Sequence, residues 1–303
     1  MKIIRTPRSM TAWSERLRRE GVTIGFVPTM GALHDGHRAL IRAARLRCDA
    51  LVVSIFVNPT QFSPTEDFAT YPRPIFRDRA LCREEGVDVC FEPMARAMYP
   101  EGFQTTVTVP ALARRWEGEA RPHHFAGVAT VVTKLFGIVQ PDLALFGQKD
   151  YQQAALVKRF VSDLNLGVTI DVRPTVREQD GLAMSSRNRY LSSADRRAAP
   201  ILYRALLAGR QTIEEGRVTT SAVEDIMRKT VEQEPSARVE YLALCDPVTL
   251  EPLERIDRRA LLLGAIKIGS IRLIDNVLVT ASNRMRRARV AQVIRLRQER
   301  DVG

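Results

Sequence analysis

The 303-residue sequence predicts an α/β protein, with a parallel sheet covered by helices on both faces and a smaller α+β region after it. Three observations carry this reading. Short, β-branched apolar runs alternate with longer segments of helical spacing from residue 22 to residue 172. Glycine-bearing and polar stretches follow the apolar runs, as loops do at the carboxyl ends of parallel strands. After Asn188 the alternation stops, and helices give way to strands joined by turn-like segments.

Val22 to Val27 reads as a strand, His37 to Cys48 as a helix with arginines on its outer face, and Ala50 to Val57, ALVVSIFV, as the next strand. A helix is expected at Pro74 to Glu85, a strand at Val87 to Glu92, a helix at Gly127 to Val139 and a strand at Leu143 to Phe146. A helix at Asp150 to Leu164 and a strand at Val168 to Val172 complete a Rossmann-like order. In such sheets ligands bind beyond the strand ends, which directs attention to Pro28–His37, Asn58–Phe62, Gly147–Gln153 and Pro174–Asn188. The later region reads as one long helix from Ser193 to Glu215, a second at Ser221 to Val231, and antiparallel strands at Val239 to Cys245 and Ala260 to Ile266. The expected division is 1–175, then 176–282 carrying the Met184 to Arg187 loop, then a basic tail at 283–303. Within that tail Arg284 to Arg300 holds seven arginines and one acid, read as a solvated, frayed helix with RNA or membrane-surface contact the lesser alternative.

Composition narrows the class. A 45% hydrophobic content is enough for a sizeable core. No apolar stretch reaches the roughly 18 to 20 residues of a membrane span, and the amino terminus lacks a secretion signal, so a cytoplasmic location is expected. Cys48, Cys82, Cys90 and Cys245 are far apart and never form CxxC, which points to core residues rather than zinc or disulfides. The net charge of +11 admits nucleic acid or an anionic small substrate. Only six of the 46 basic residues are lysines, so the excess reads mainly as a general preference for arginine.

The stretch FVPTMGALHDGH, Phe26 to His37, places two of the chain's four histidines at a strand-to-helix turn. Gly31 and Gly36 allow close backbone approach, and the helix start offers free N–H groups to an anion. Two imidazoles there can donate to phosphate oxygens, whereas without a third ligand they make a poor zinc site.

HDGH resembles the HxGH motif of the nucleotidyltransferase and class I aminoacyl-tRNA synthetase superfamily. Together with SIFVNPTQF, EDFATYPR, RPHHFAGVATVVTKLF, FGQKDYQQ, DGLAMSSRNRYL and GSIRLIDN, it makes residues 3 to 280 resemble the pantothenate synthetase (pantoate-β-alanine ligase) family. The resemblance implies ATP-dependent condensation of pantoate with β-alanine through a pantoyl-adenylate, with release of pyrophosphate and then AMP, in a homodimer.

It also implies site residues. ATP would be bound by Met30, Gly31, Ala32, Leu33, His34, Asp35, Gly36 and His37, by Gly147, Gln148, Lys149 and Asp150, by Val176, and by Met184, Ser185, Ser186 and Arg187. His37, His34, Lys149 and Arg187 would carry the chemistry, His37 as proton donor or hydrogen-bond donor. Gln61 would meet pantoate and β-alanine and Gln153 pantoate, with Asn58 completing the pocket wall; amides suit a hydroxy acid whose carboxylate must stay nucleophilic. Mg²⁺ is expected on the phosphates with no protein ligand assigned, Asp78 being a faint candidate. Three positions depart from the family's pattern: Gln148, where glutamate is common, and His123 and Ser63, where glycine is. The rivals are a related ligase adenylating another small acid, a tRNA-charging enzyme and a non-catalytic RNA-binding protein. The tRNA-charging reading lacks an anticodon-binding domain. RNA binding is disfavoured because aromatics are only 6% of the chain and no RNP-like segment occurs.

Overall fold

The structure, a computed structural model, describes residues 1–64, 66–216, 219–256 and 259–280. The expected Arg284–Arg300 helix lies outside the described residues.

Six strands, β1 (Lys2–Ile4), β2 (Ile24–Thr29), β3 (Ala50–Ile55), β4 (Val89–Phe91), β5 (Leu143–Gly147) and β6 (Thr169–Arg173), form one sheet in the order β1-β4-β3-β2-β5-β6. Every pairing is parallel. Successive side chains on a strand face opposite ways, and the two faces feed separate cores. Phe26, Val52, Phe91 and Phe146 pack with residues of α1 (Pro7–Arg19), α4 (His124–Val139) and α5 (Tyr151–Asp163). Val27, Leu51, Val53 and Leu145 pack instead with Leu40, Ile41 and Ala44 of α2 (Asp35–Arg45) and with Leu81 and Cys82 of α3 (Ile75–Glu84). Burial on both faces explains why these strands read as continuous apolar runs. The chain order reverses at β2, so the ends of β2, β3 and β5 surround a topological switch point.

A second compact unit contains α6 (Ser193–Ala198), α7 (Ile201–Glu214), α8 (Thr220–Val231) and the antiparallel strands β7 (Ala237–Cys245), β8 (Arg259–Ile268) and β9 (Ile271–Thr280). Leu202, Leu206 and Ile213 of α7, Val223 and Met227 of α8, and Leu244, Leu262 and Ile266 of the sheet share its core.

Four elements differ from expectation. The single helix expected at Ser193–Glu215 is broken at Pro200, which has no N–H with which to continue the helical hydrogen-bond ladder. The amino-terminal β1 and α1 were not anticipated, although Thr6 caps α1 by accepting from Ser9 N at 3.2 Å and Pro7 fills its first turn. Strand β9 adds a third member to the small sheet.

By its contacts the Met184–Arg187 segment belongs with residues 1–178, not with the later unit. Met184 N donates to Val176 O at 3.0 Å, and Arg187 holds Asp67 through two bonds of 2.9 and 3.0 Å. Cys82, Cys90 and Cys245 are buried and Cys48 half-buried, all as free thiols. Among the described residues no helix is long and apolar enough to cross a membrane.

Candidate active site

The chain leaves β2 at Thr29 and turns sharply into α2. Gly31 takes φ +81°, and a Cβ there would lie 2.9 Å from Ile55 Cγ2 and 3.0 Å from Asp78 Oδ2. Ala32 follows in the left-handed region at φ +50°. The strain is held by Asp78 of α3, whose two carboxylate oxygens accept from Ala32 N and Leu33 N, each at 2.8 Å. Asp78 is 1% exposed. Burial raises its pKa, while the Leu33 and Ala32 amides oppose that rise. Buried behind the turn and outside the pocket lining, the carboxylate of Asp78, the faint Mg²⁺ candidate, tethers the backbone instead of facing the pocket.

The two histidines cap the helix they precede. His34 Nδ1 accepts from Gly36 N at 3.2 Å, and His37 Nδ1 accepts from His34 N at 3.3 Å, which closes a reciprocal box. A neutral imidazole that accepts at Nδ1 carries its proton on Nε2. Burial, with Lys149 adding to it, lowers the His34 pKa to about 4. Burial, then His34 and Lys149, drives His37 well below its ordinary value. Both rings are therefore neutral Nε2–H donors at pH 7, 4.1 Å apart between centroids.

One pocket gathers loops from four strand ends. It is lined by Met30, His34, Gly36 and His37 after β2, by Asn58 and Gln61 after β3, by Gly147, Lys149, Asp150 and Gln153 after β5, and by Val176 and Met184 to Arg187 after β6. Five expected ATP residues are absent from its lining. Gly31, Ala32 and Leu33 are buried as the turn itself, Asp35 is exposed at the first turn of α2, and Gln148 sits half-buried in the short turn before α5. The doublet Gln152-Gln153 is sorted by helix geometry. Gln152 points into the protein, donating to Leu112 O at 2.8 Å and Arg115 O at 2.9 Å, which leaves Gln153 for the pocket.

Sequence reasoning assigned no role to Tyr71, Arg121 or His124, which also line the pocket. Tyr71 and Ser186 share a hydroxyl contact of 3.2 Å. Arg121 grips Glu66 and donates to Gln61 O at 3.3 Å; His124 Nδ1 lies 3.0 Å from the same carbonyl and therefore carries a proton. Burial, with Arg121 adding to it, lowers the His124 pKa to about 4. The signal available in the sequence was the pair Arg121 and His124, three apart at the start of α4. His123, one of the three departures from the family's pattern, is exposed and does not line the pocket, although its neighbours Arg121 and His124 do.

Two neutral N–H donors, a lysine, an arginine and two serine hydroxyls around carboxamides suit a polyanion held beside a small polar acid. No cysteine lines the pocket. Among the described residues no group of three or more His, Cys, Asp or Glu could hold a metal. The pocket carboxylate of Asp150, bound at 3.5 Å by Lys149 Nζ, fits a Mg²⁺ carried chiefly by phosphate oxygens and water.

Parallel sheet, switch-point pocket and capped HDGH turn define a nucleotidyltransferase-type α/β enzyme of the HxGH class. The pattern of the pantoate-beta-alanine ligase family matches residues 2–278, and the chain belongs to that family. It is 52% identical over 279 residues to the pantothenate synthetase of Heliobacterium modesticaldum, covering 92% of this chain and 99% of the relative. It is 50% identical over 283 residues to that of Moorella thermoacetica, covering 93% and 100%. The crystal structure of pantothenate synthetase from Thermus thermophilus superposes with a TM-score of 0.87 at 47% identity, covering 91% of this chain and 99% of the other. The pantoate-beta-alanine ligase from Francisella tularensis, crystallised with a β,γ-ATP ligand and β-alanine, gives 0.76 at 36% identity, covering 92% and 97%.

Proposed function

We propose that the chain condenses pantoate with β-alanine at the expense of ATP to give pantothenate, through the residues gathered in this pocket. The observation that carries the assignment of roles is the convergence of HDGH, Gln61, Gln153, Lys149 and the Met184–Arg187 segment on one cavity at the switch point. In the first step a pantoate carboxylate oxygen attacks the α-phosphorus, the bond to the bridging oxygen breaks, and pyrophosphate leaves. In the second the β-alanine amine attacks the acyl carbon of the pantoyl-adenylate, the acyl–oxygen bond breaks with its electron pair leaving on AMP, and the amine's proton passes to water. No enzyme nucleophile is needed, so rate comes from positioning and from cancelling phosphate charge.

His34 and His37 donate Nε2–H hydrogen bonds to phosphate oxygens. Their low pKa values disfavour the imidazolium that proton donation would require. Lys149 supplies a point charge to the triphosphate, and Arg187 and the Ser185 and Ser186 hydroxyls bind the departing pyrophosphate. Mg²⁺, held mainly by the phosphates with Asp150 as the available protein oxygen, would add charge neutralisation. Gln61 and Gln153 hold pantoate, Gln61 also facing β-alanine.

The test is AMP release from purified protein given ATP, Mg²⁺, pantoate and β-alanine, with each omitted in turn. AMP that forms only when all four are present supports the reading. Release that ignores pantoate, or none at all, overturns it.

A further inference from the structure

Asn58 and Gln61, three apart in the turn after β3, are 1% and 7% exposed. Each polar atom of the Asn58 side chain is spent on the protein. Its Oδ1 accepts from the Tyr99 hydroxyl at 2.7 Å, the Thr60 hydroxyl at 3.0 Å and Thr60 N at 3.4 Å. Its Nδ2 donates to Gly127 O at 3.2 Å and to Gln61 Oε1 at 3.1 Å.

Two of these partners have a polarity that cannot change: a backbone N–H only donates and a backbone carbonyl only accepts. The opposite flip of Asn58 would set an amino group against Thr60 N–H and an oxygen against Gly127 C=O. Asn58 therefore has one orientation, and it imposes one on Gln61. With Oε1 taken, Gln61 turns its amino group to the other side, where Nε2 meets Met30 Sδ at 3.2 Å. A thioether is a weak acceptor, and both residues line the pocket. The close approach depends on Gly127, where a Cβ would fall 2.4 Å from Thr60 O. Tyr99 is itself fixed, its ring 5.1 Å from that of Phe103, with Lys134 Nζ 5.8 Å from the Tyr99 ring and 4.5 Å from the Phe103 ring.

We infer that Asn58 and Tyr99 are positioning residues that lock Gln61 with its amino group toward the substrate. This point of the site then selects a hydrogen-bond acceptor, a carboxylate or the lone pair of a hydroxyl oxygen. The inference rests on the reading of Gln61 as a pantoate contact, and it replaces the expectation that Asn58 contacts the substrate itself. A preset amide costs nothing to orient on binding, and a ligand offering only a donor would leave buried groups mispaired.

The test is a set of steady-state kinetic measurements on Asn58→Ala, Tyr99→Phe, Gln61→Ala and each of the first two combined with Gln61→Ala. KM for pantoate and for ATP are determined separately, and melting temperatures are measured. Gln61→Ala is expected to raise KM for pantoate while KM for ATP changes by less than about twofold. Asn58→Ala and Tyr99→Phe are expected to raise KM for pantoate by about tenfold and about threefold in the wild-type background. Neither is expected to raise it further once Gln61 is alanine, because a residue acting only through Gln61 has nothing left to position. Full losses retained in the Gln61→Ala background overturn the inference, as do unchanged kinetics in both single variants. If Gln61→Ala alone behaves as wild type, it is the pantoate assignment that falls, and the inference with it. Should Asn58→Ala fail to fold, Tyr99→Phe, which removes one oxygen, decides the question alone.

Discussion

At the scale of single residues, the pocket sets histidines whose charge has been suppressed beside a lysine and arginines. His34, His37 and His124 are all held neutral by burial. A depressed histidine pKa means that the unfolded chain takes up protons first as pH falls. The contribution of His34 and His124 to stability is therefore complete above the ordinary value near 6.5 and is lost as pH drops from there through about 4. The melting temperature of the ligand-free protein should fall across that window, and His34→Gln should flatten the slope; an unchanged slope would show that the ring is not buried neutral. For catalysis, His37→Ala and Lys149→Ala should each lower kcat by about 10² or more with the circular dichroism spectrum intact, since each removes a donor to developing phosphate charge. The histidines were legible because two imidazoles framing a glycine at a strand end are chemically conspicuous. Asp78 was not, because its role lies in two backbone amides 45 and 46 positions away, and a lone aspartate in a helix carries no sign of that.

At the scale of elements, the turn between β2 and α2 is where strain and function meet. Asp78→Asn would replace one of two acceptors facing Ala32 and Leu33 with a donor and should cost about 2–3 kcal/mol in chemical denaturation, with a raised KM for ATP. A neutral result would show that the left-handed Ala32 needs no tether. The sequence located β2, β3 and β5 within a few residues because strands buried on both faces read as unbroken apolar runs, and β6, half-exposed at the sheet edge, by the alternation of Ile170 and Val172 with polar neighbours. It misjudged the 193–215 region, where helical periodicity continues on either side of Pro200 and hides the break. It also assigned the Met184–Arg187 segment to the wrong unit. A loop belongs to whatever its side chains grip, and Arg187 grips Asp67, 120 residues earlier.

At the scale of the whole molecule, the family match ends at residue 278, and the Heliobacterium and Moorella relatives are covered over 99% and 100% of their lengths. Removing residues 283–303 should therefore leave the ligase rate within about twofold, measured as AMP release. A larger loss would give the arginine-rich tail a part in the reaction. The homodimer implied by the family is tested by sedimentation, with twice the chain mass expected.

The sequence by itself determined the class of sheet, the strand ends that converge on the pocket and the family, because burial on two faces and short chemical motifs are local properties. Only the tertiary structure decided that Asp78 tethers the HDGH turn, that Asn58 spends its side chain on the protein, and that FVPTMGALHDGH presents two neutral donors. Those outcomes depend on hydrogen-bond partners far apart in the chain and on solvent exclusion, and neither is a property of any one stretch.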